Sequence, residues 1–146
     1  MARYSIAGRA SAAATATLPA VSLFAAAAVG GRIREIQIYN TTTTAFALSL
    51  RRFTALGTQG AGLTEIPHEV DIPAASCTGF DAHSVTPTIV AGVLAQATLG
   101  AAAGSGVIWT FGDQGLVLKI GTGNGYGILC PTGTGQVFDY TIMWDE

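Results

Sequence analysis

Ionised side chains are scarce in this chain of 146 residues, making up 11 % of it against about 25 % in an average soluble protein. Histidine and cysteine are rarer still: His68, His83, Cys77 and Cys130 are all there is. Two cysteines exclude a disulfide scaffold and a zinc site built from thiolates alone. The only lysine, Lys119, lies outside any Gly-Lys-Ser/Thr run, which excludes a P-loop. A formal net charge of −2 gives no overall drive toward nucleic acid or anionic lipid. Disorder is excluded from the other side, because 49 % of the residues are hydrophobic and a disordered chain is poor in such groups.

The shortage of charge has a consequence for the exterior. A compact monomer of this mass exposes on the order of 7,000 Å². Sixteen charged side chains cover about a quarter of that. Thr, Ser, Gly and Ala tile much of the remainder, or other subunits cover it, and permanent assembly into something larger is the expectation.

Two stretches carry no charge, Ala10–Gly31 and Val85–Gly112, and both have the length of a membrane span. Pro19, Pro87, Gln96 and Gly104-Ser-Gly106 dilute them, so they read as strands and turns, and no membrane partner is expected. The N-terminal region has the charge and apolar order of a leader, with Arg3 and Arg9 ahead of the apolar Leu18–Val29. The expectation is instead an N-terminal arm over residues 1–16, or a strand that docks on its own sheet or a neighbour.

Period-2 alternation dominates and no segment has the 3.6-residue repeat of an amphipathic helix. Strands are expected at Tyr4–Arg9, Thr17–Ala25, Arg32–Tyr39, Ala45–Phe53, Thr88–Ala97, Val107–Phe111, Leu116–Ile120, Gly127–Leu129 and Val137–Trp144. In Arg32–Tyr39 the alternation sets Arg34, Ile36 and Ile38 on one face. Asn40–Thr44 is a turn by composition, so the strands around it read as a hairpin. Residues 56–86 form a long central loop punctuated by Gly57, Gly60, Gly62, Pro67, Pro73 and Gly79. Many short strands with Gly-rich turns predict a single all-β domain over 1–146, an antiparallel β-sandwich of the jelly-roll kind.

Gly121-Thr-Gly-Asn-Gly-Tyr-Gly127 lacks the following helix that a Rossmann phosphate cradle requires, and Asn124-Gly125 reads as a type I′ hairpin turn. His68, Glu69, Asp71, Asp81 and His83 are the only run rich in ligands or bases. A metal site wants three convergent ligands on rigid elements, and the two histidines stand too far apart in sequence for one strand to supply them. No Gly-x-Ser-x-Gly elbow occurs. Cys77 has only His83 nearby in sequence to activate it, and a Cys77–Cys130 disulfide is at odds with a reducing compartment. The reading is non-enzymatic, with no catalytic residue, metal, cofactor or small-molecule substrate.

The charge distribution says more. Six arginines and one acid, Glu35, lie within the first 52 residues, and Lys119 with eight acids lies beyond. If Asn40–Thr44 closes a hairpin, Arg32 faces Arg52 and Arg34 and Arg51 crowd beside them. Like charges opposed across strands cost about 0.2–1 kcal/mol per pair. The cluster Arg32, Arg34, Arg51 and Arg52 is therefore expected to meet carboxylates of the C-terminal half or of another subunit, and is the candidate interface. It extends into no basic stripe with interleaved aromatics, so nucleic acid is not expected as a partner.

The opening Met-Ala-Arg-Tyr-Ser-Ile-Ala-Gly-Arg9, the strand Gly31-Arg-Ile-Arg-Glu-Ile-Gln-Ile-Tyr-Asn40 with its Thr-rich turn, and the close through Gly121-Thr-Gly-Asn-Gly125, Pro131-Thr-Gly-Thr-Gly135 and Trp144-Asp-Glu146 resemble small virion proteins of tailed bacteriophages. The resemblance spans most of the chain in style and turn pattern. It implies a β-rich capsid decoration (cement) protein: a homotrimer on the outer capsid surface, assembled in the host cytoplasm, that clamps neighbouring major capsid subunits. It transfers no site residue. Two alternatives stand beside it, a tail, collar or fibre component and a jelly-roll module that binds carbohydrate or a receptor. The latter wants exposed aromatics, whereas Trp109 and Trp144 lie within apolar strands.

Overall fold

The computed structural model describes residues 1–146 as two antiparallel sheets packed face to face, with no helix. The first sheet runs in the order β10 (Leu116–Leu118), β3 (Gly31–Asn40), β12 (Phe138–Asp145), β1 (Arg3–Arg9) and β5 (Ile66–Pro67). Strand β9 (Gly106–Thr110) pairs β3 beside β10. The second sheet runs β6 (Thr78–Asp81), β2 (Val21–Phe24), β11 (Gly125–Leu129), β4 (Phe46–Ala55) and β7 (Thr88–Ile89), with β8 (Ala95–Leu99) also on β4. With β5 and β6 as additions and β7/β8 and β9/β10 as broken edge strands, the orders 1-12-3-9/10 and 2-11-4-7/8 are those of a jelly roll.

Alternating apolar residues make the two inner faces. Tyr4 and Ile6, Ile36 and Ile38, and Phe138, Tyr140, Ile142 and Trp144 line the first. Val21 and Leu23, Leu48 and Leu50, and Ile128 line the second. A smaller apolar layer lies on the outer face of the second sheet, where Phe24, Phe53 and Leu129 are covered by Leu56, Phe80 and Ile89. The central segment thus acts as a lining for a second buried surface, and it is not strandless: it contributes β5 and β6. Of the two readings of the N-terminal stretch, the docked strand is the one formed, since β1 lies between β12 and β5.

Four expectations are corrected. Asn40–Thr44 does not close a hairpin, because β3 and β4 belong to different sheets and the segment arches between them. Buried Asn40 holds the arch: its amide nitrogen donates to the carbonyls of Thr44 and Gly100, and its Oδ1 accepts from Thr42. Asn124-Gly125 is likewise a crossing from β10 to β11; Gly121 carries the positive φ, 118°, and Asn124 N–H donates to its carbonyl. A bulge at Arg34 shifts the β3–β12 register between Met143 and Trp144, so Ile33 points inward and Arg34 does not. Finally, Thr88–Ala97 is two short strands rather than one.

Candidate functional site

The pairing of β1 with β12 brings the basic N-terminal half onto the acidic C-terminal half. Arg3 stands opposite Asp145 and Arg9 opposite Asp139, with Nε–Oδ1 distances of 2.8 and 2.7 Å. The bulge turns Arg34 onto the same carboxylate, with Nε 2.6 Å from Asp145 Oδ2, and its Nη1 donates to the carbonyl of Asp113. Burial alone pushes the Asp145 carboxyl up, but hydrogen bonds from Arg3 and Arg34 outweigh it and hold the group below the usual range. The Arg9–Asp139 pair is exposed, so solvent screens it and it adds little to stability.

The four arginines of the expected cluster do not gather at one hairpin. Arg32 and Arg34 lie on the first sheet and Arg51 and Arg52 on the second. The predicted register fails because the connection between them is an arch. Arg34 is neutralised within the chain, as expected for an acid from the C-terminal half. Arg32 donates to the carbonyl of Gln114 at 2.6 Å. Arg51 faces outward from the second sheet, and its buried Nε has no hydrogen-bond partner. Arg52 stands opposite Tyr126, whose hydroxyl donates to the carbonyl of Val117 at 2.7 Å.

What the arch separates in register, the sandwich partly rejoins at one side. Edge strands β10 and β7 close the two sheets there, and a cavity of about 200 Å³ opens where β10 meets β4 and β11, lined by Arg52, Val117, Lys119, Asn124 and Tyr126. A shallower depression runs on past Val117, Lys119 and Ile120 to Arg32 and Met1, where Asp145 and Glu146 also line it. On the other flank of Arg52 lie Val93 and Leu94. Arg32, Arg52 and Lys119 have no carboxylate within 4.0 Å, whereas Arg3, Arg9 and Arg34 do. The result is an apolar edge studded with three unpaired cations. Lys119 and the flanking valines and leucine were not singled out from the sequence; only the sheet order places them beside Arg52.

The ligand-rich run disperses. No three His, Cys, Asp or Glu side chains converge on one point. Asp81 accepts a hydrogen bond from Ser11 N–H, and His68 N–H donates to the Arg3 carbonyl. His83 Nε2 lies 2.8 Å from Ser22 Oγ, with its ring against Phe24 at 5.9 Å between centroids. Ser22 is wholly buried and His83 Nδ1 has no hydrogen-bond partner, so this contact pins the central segment to the second sheet and offers no reachable nucleophile. Both cysteines are free and buried; burial and the neighbouring Glu146 push the Cys77 thiol up to about 12, far from a thiolate at neutral pH. Trp144 is fully buried and Trp109 packs against the core, so neither offers a sugar-stacking face. No helix is long and apolar enough to cross a membrane.

Burial lowers the His83 pKa below its ordinary 6.5, opposed in part by the carbonyls of Leu56 and Val85, which face the ring without making a bond of ordinary geometry to Nδ1. The unfolded chain therefore takes up the proton first as pH falls, and folding stability drops below about pH 6.5 until the folded-state pKa is passed. Urea unfolding between pH 7 and 5 is expected to show this decline, and His83→Gln is expected to flatten it.

No protein family, curated protein or solved structure matches the chain.

Proposed function

We propose that this chain is a non-enzymatic virion structural protein of a tailed bacteriophage, a trimeric decoration protein that binds the outer surface of the major capsid shell and stabilises it.

 

The reading in full is a homotrimer that sits on the capsid exterior, clamps neighbouring shell subunits, and has no catalytic residue, cofactor, nucleic-acid partner or membrane partner of its own. The observation that carries it is the character of the exterior. On a surface of 6626 Å² with sixteen charged residues, nine large apolar side chains stand exposed, and five of them (Met1, Val93, Leu94, Val117 and Ile120) border the depressions around Arg52 and Lys119. Contiguous apolar surface of this kind marks a contact with other protein. The resemblance of the opening, the Thr-rich turn and the Gly-rich close to small phage virion proteins supplies the kind of partner.

A protein that binds the assembled shell and not its separated subunits stabilises the shell by mass action. Mixing the purified chain with expanded tailed-phage shells stripped of their decoration protein tests the reading. Saturable binding, with a rise in the temperature at which the shells rupture, is the expected result. Shells of the chain's own phage that neither bind it nor change their rupture temperature overturn it.

A further inference from the structure

The two sides of the sandwich carry opposite charge. Arg32, Arg52 and Lys119 flank the side closed by β10 and β7, where Asp113 is the one carboxylate on the turn between β9 and β10. The opposite side, closed by β5 and β6, carries Glu65, Glu69, Asp71 and Asp81. Beyond β5 the chain turns through Glu69-Val70-Asp71, where Val70 is 98 % exposed between two exposed carboxylates. Neither Glu69 nor Asp71 has a cation within 4.0 Å.

The first sheet sets tip and cavity at one level. Leu116 pairs with Ile33, Ile33 with Trp144, Trp144 with Tyr4, and Tyr4 with Pro67, a single cross-strand row from one edge to the other. Lys119 follows one end of that row closely and Glu69 the other. Five strands at about 4.8 Å spacing put the two edges about 19 Å apart.

We infer that the acidic tip Glu69-Val70-Asp71 of one copy docks into the cavity of Arg52, Val117 and Lys119 on the next copy. The match is of two kinds. Two carboxylates meet two cations that lack partners, and the apolar side chain between the carboxylates meets Val117 on the cavity wall. Because tip and cavity lie on opposite sides of one molecule, the contact is head-to-tail, and it makes a closed ring when the rotation relating successive copies completes a full turn. The inference rests on the self-assembly in the proposed function and names the surfaces that produce it.

Sedimentation velocity on two charge-reversed chains, Arg52→Glu/Lys119→Glu and Glu69→Lys/Asp71→Lys, tests it, with thermal unfolding of each as the check on folding. All four positions are exposed, so both variants are expected to melt near the parent. The parent is expected to sediment as a multi-copy species that weakens with added salt. Each variant alone is expected to associate about 100-fold more weakly, and an equal mixture to regain association, since a basic tip then meets an acidic cavity. Association unchanged by either reversal, or a mixture that stays monomeric, overturns this contact and leaves shell binding standing. A parent that is monomeric at high concentration also overturns it, and the shell-binding assay on that monomer then decides the proposed function separately.

Discussion

Replacing Gly127 with valine is expected to cost about 3 kcal/mol of stability and to lower the thermal midpoint by about 10 °C. Strand β11 is buried along its whole length, flanked by β2 and β4. Two of its outward positions, 125 and 127, are glycine, and the stacked rings of Phe24 and Phe53 occupy the space above them, 5.8 Å apart between centroids. A Cβ at position 127 would sit 2.6 Å from Phe53 Cε2 and 2.9 Å from the Val21 carbonyl oxygen. The ring can turn aside only by opening the small apolar layer with Leu129, and the backbone oxygen cannot move without breaking the β2–β11 ladder. Thermal unfolding followed by circular dichroism reads the loss. A midpoint equal to the parent's would show that Phe53 does not lie over β11.

Trp144→Ala is expected to be at least as damaging, about 3–5 kcal/mol, because the side chain is fully buried at the centre of the first sheet. Its ring stacks on Tyr4 at 5.8 Å, and its Nε1–H donates to Glu146 Oε1 at 2.9 Å. The same carboxylate accepts from the backbone N–H groups of Ser76 and Cys77, so the loss reaches the central segment as well. Trp144→Phe keeps most of the ring and removes the donor, and about 1–2 kcal/mol is expected. Denaturant unfolding of the two variants separates packing from the hydrogen bond: equal losses would assign the whole effect to the indole N–H.

Strand positions were legible in the sequence because alternation is a local property. Phe138, Tyr140, Ile142 and Trp144 announce their face without any knowledge of the partner strand. Sheet membership was not legible, because Asn, Thr and Gly suit an arch between sheets as well as a hairpin within one. What decides between them at Asn40 is a hydrogen bond to the carbonyl of Gly100, sixty residues away. The arginine cluster inherited that error. Its replacement, the edge holding Arg32, Arg52 and Lys119, depends on β10 and β4 meeting across the two layers. The second apolar layer had one local sign, Phe53 out of phase with Phe46, Leu48 and Leu50. The Ser22–His83 contact had none, since each residue alone reads as an ordinary strand or loop position.

The pairing of β1 with β12 constrains the order of events during synthesis. Residues 3–9 leave the ribosome well before their ladder partner, residues 138–145, and every other strand of the sandwich emerges between the two. Strand β3 waits for the same partner. Until then the middle of the first sheet consists of two strands with unsatisfied edges, a state open to wrong pairing between nascent chains. Completion of this jelly roll therefore waits for β12, and its rate is set by non-local strand closure.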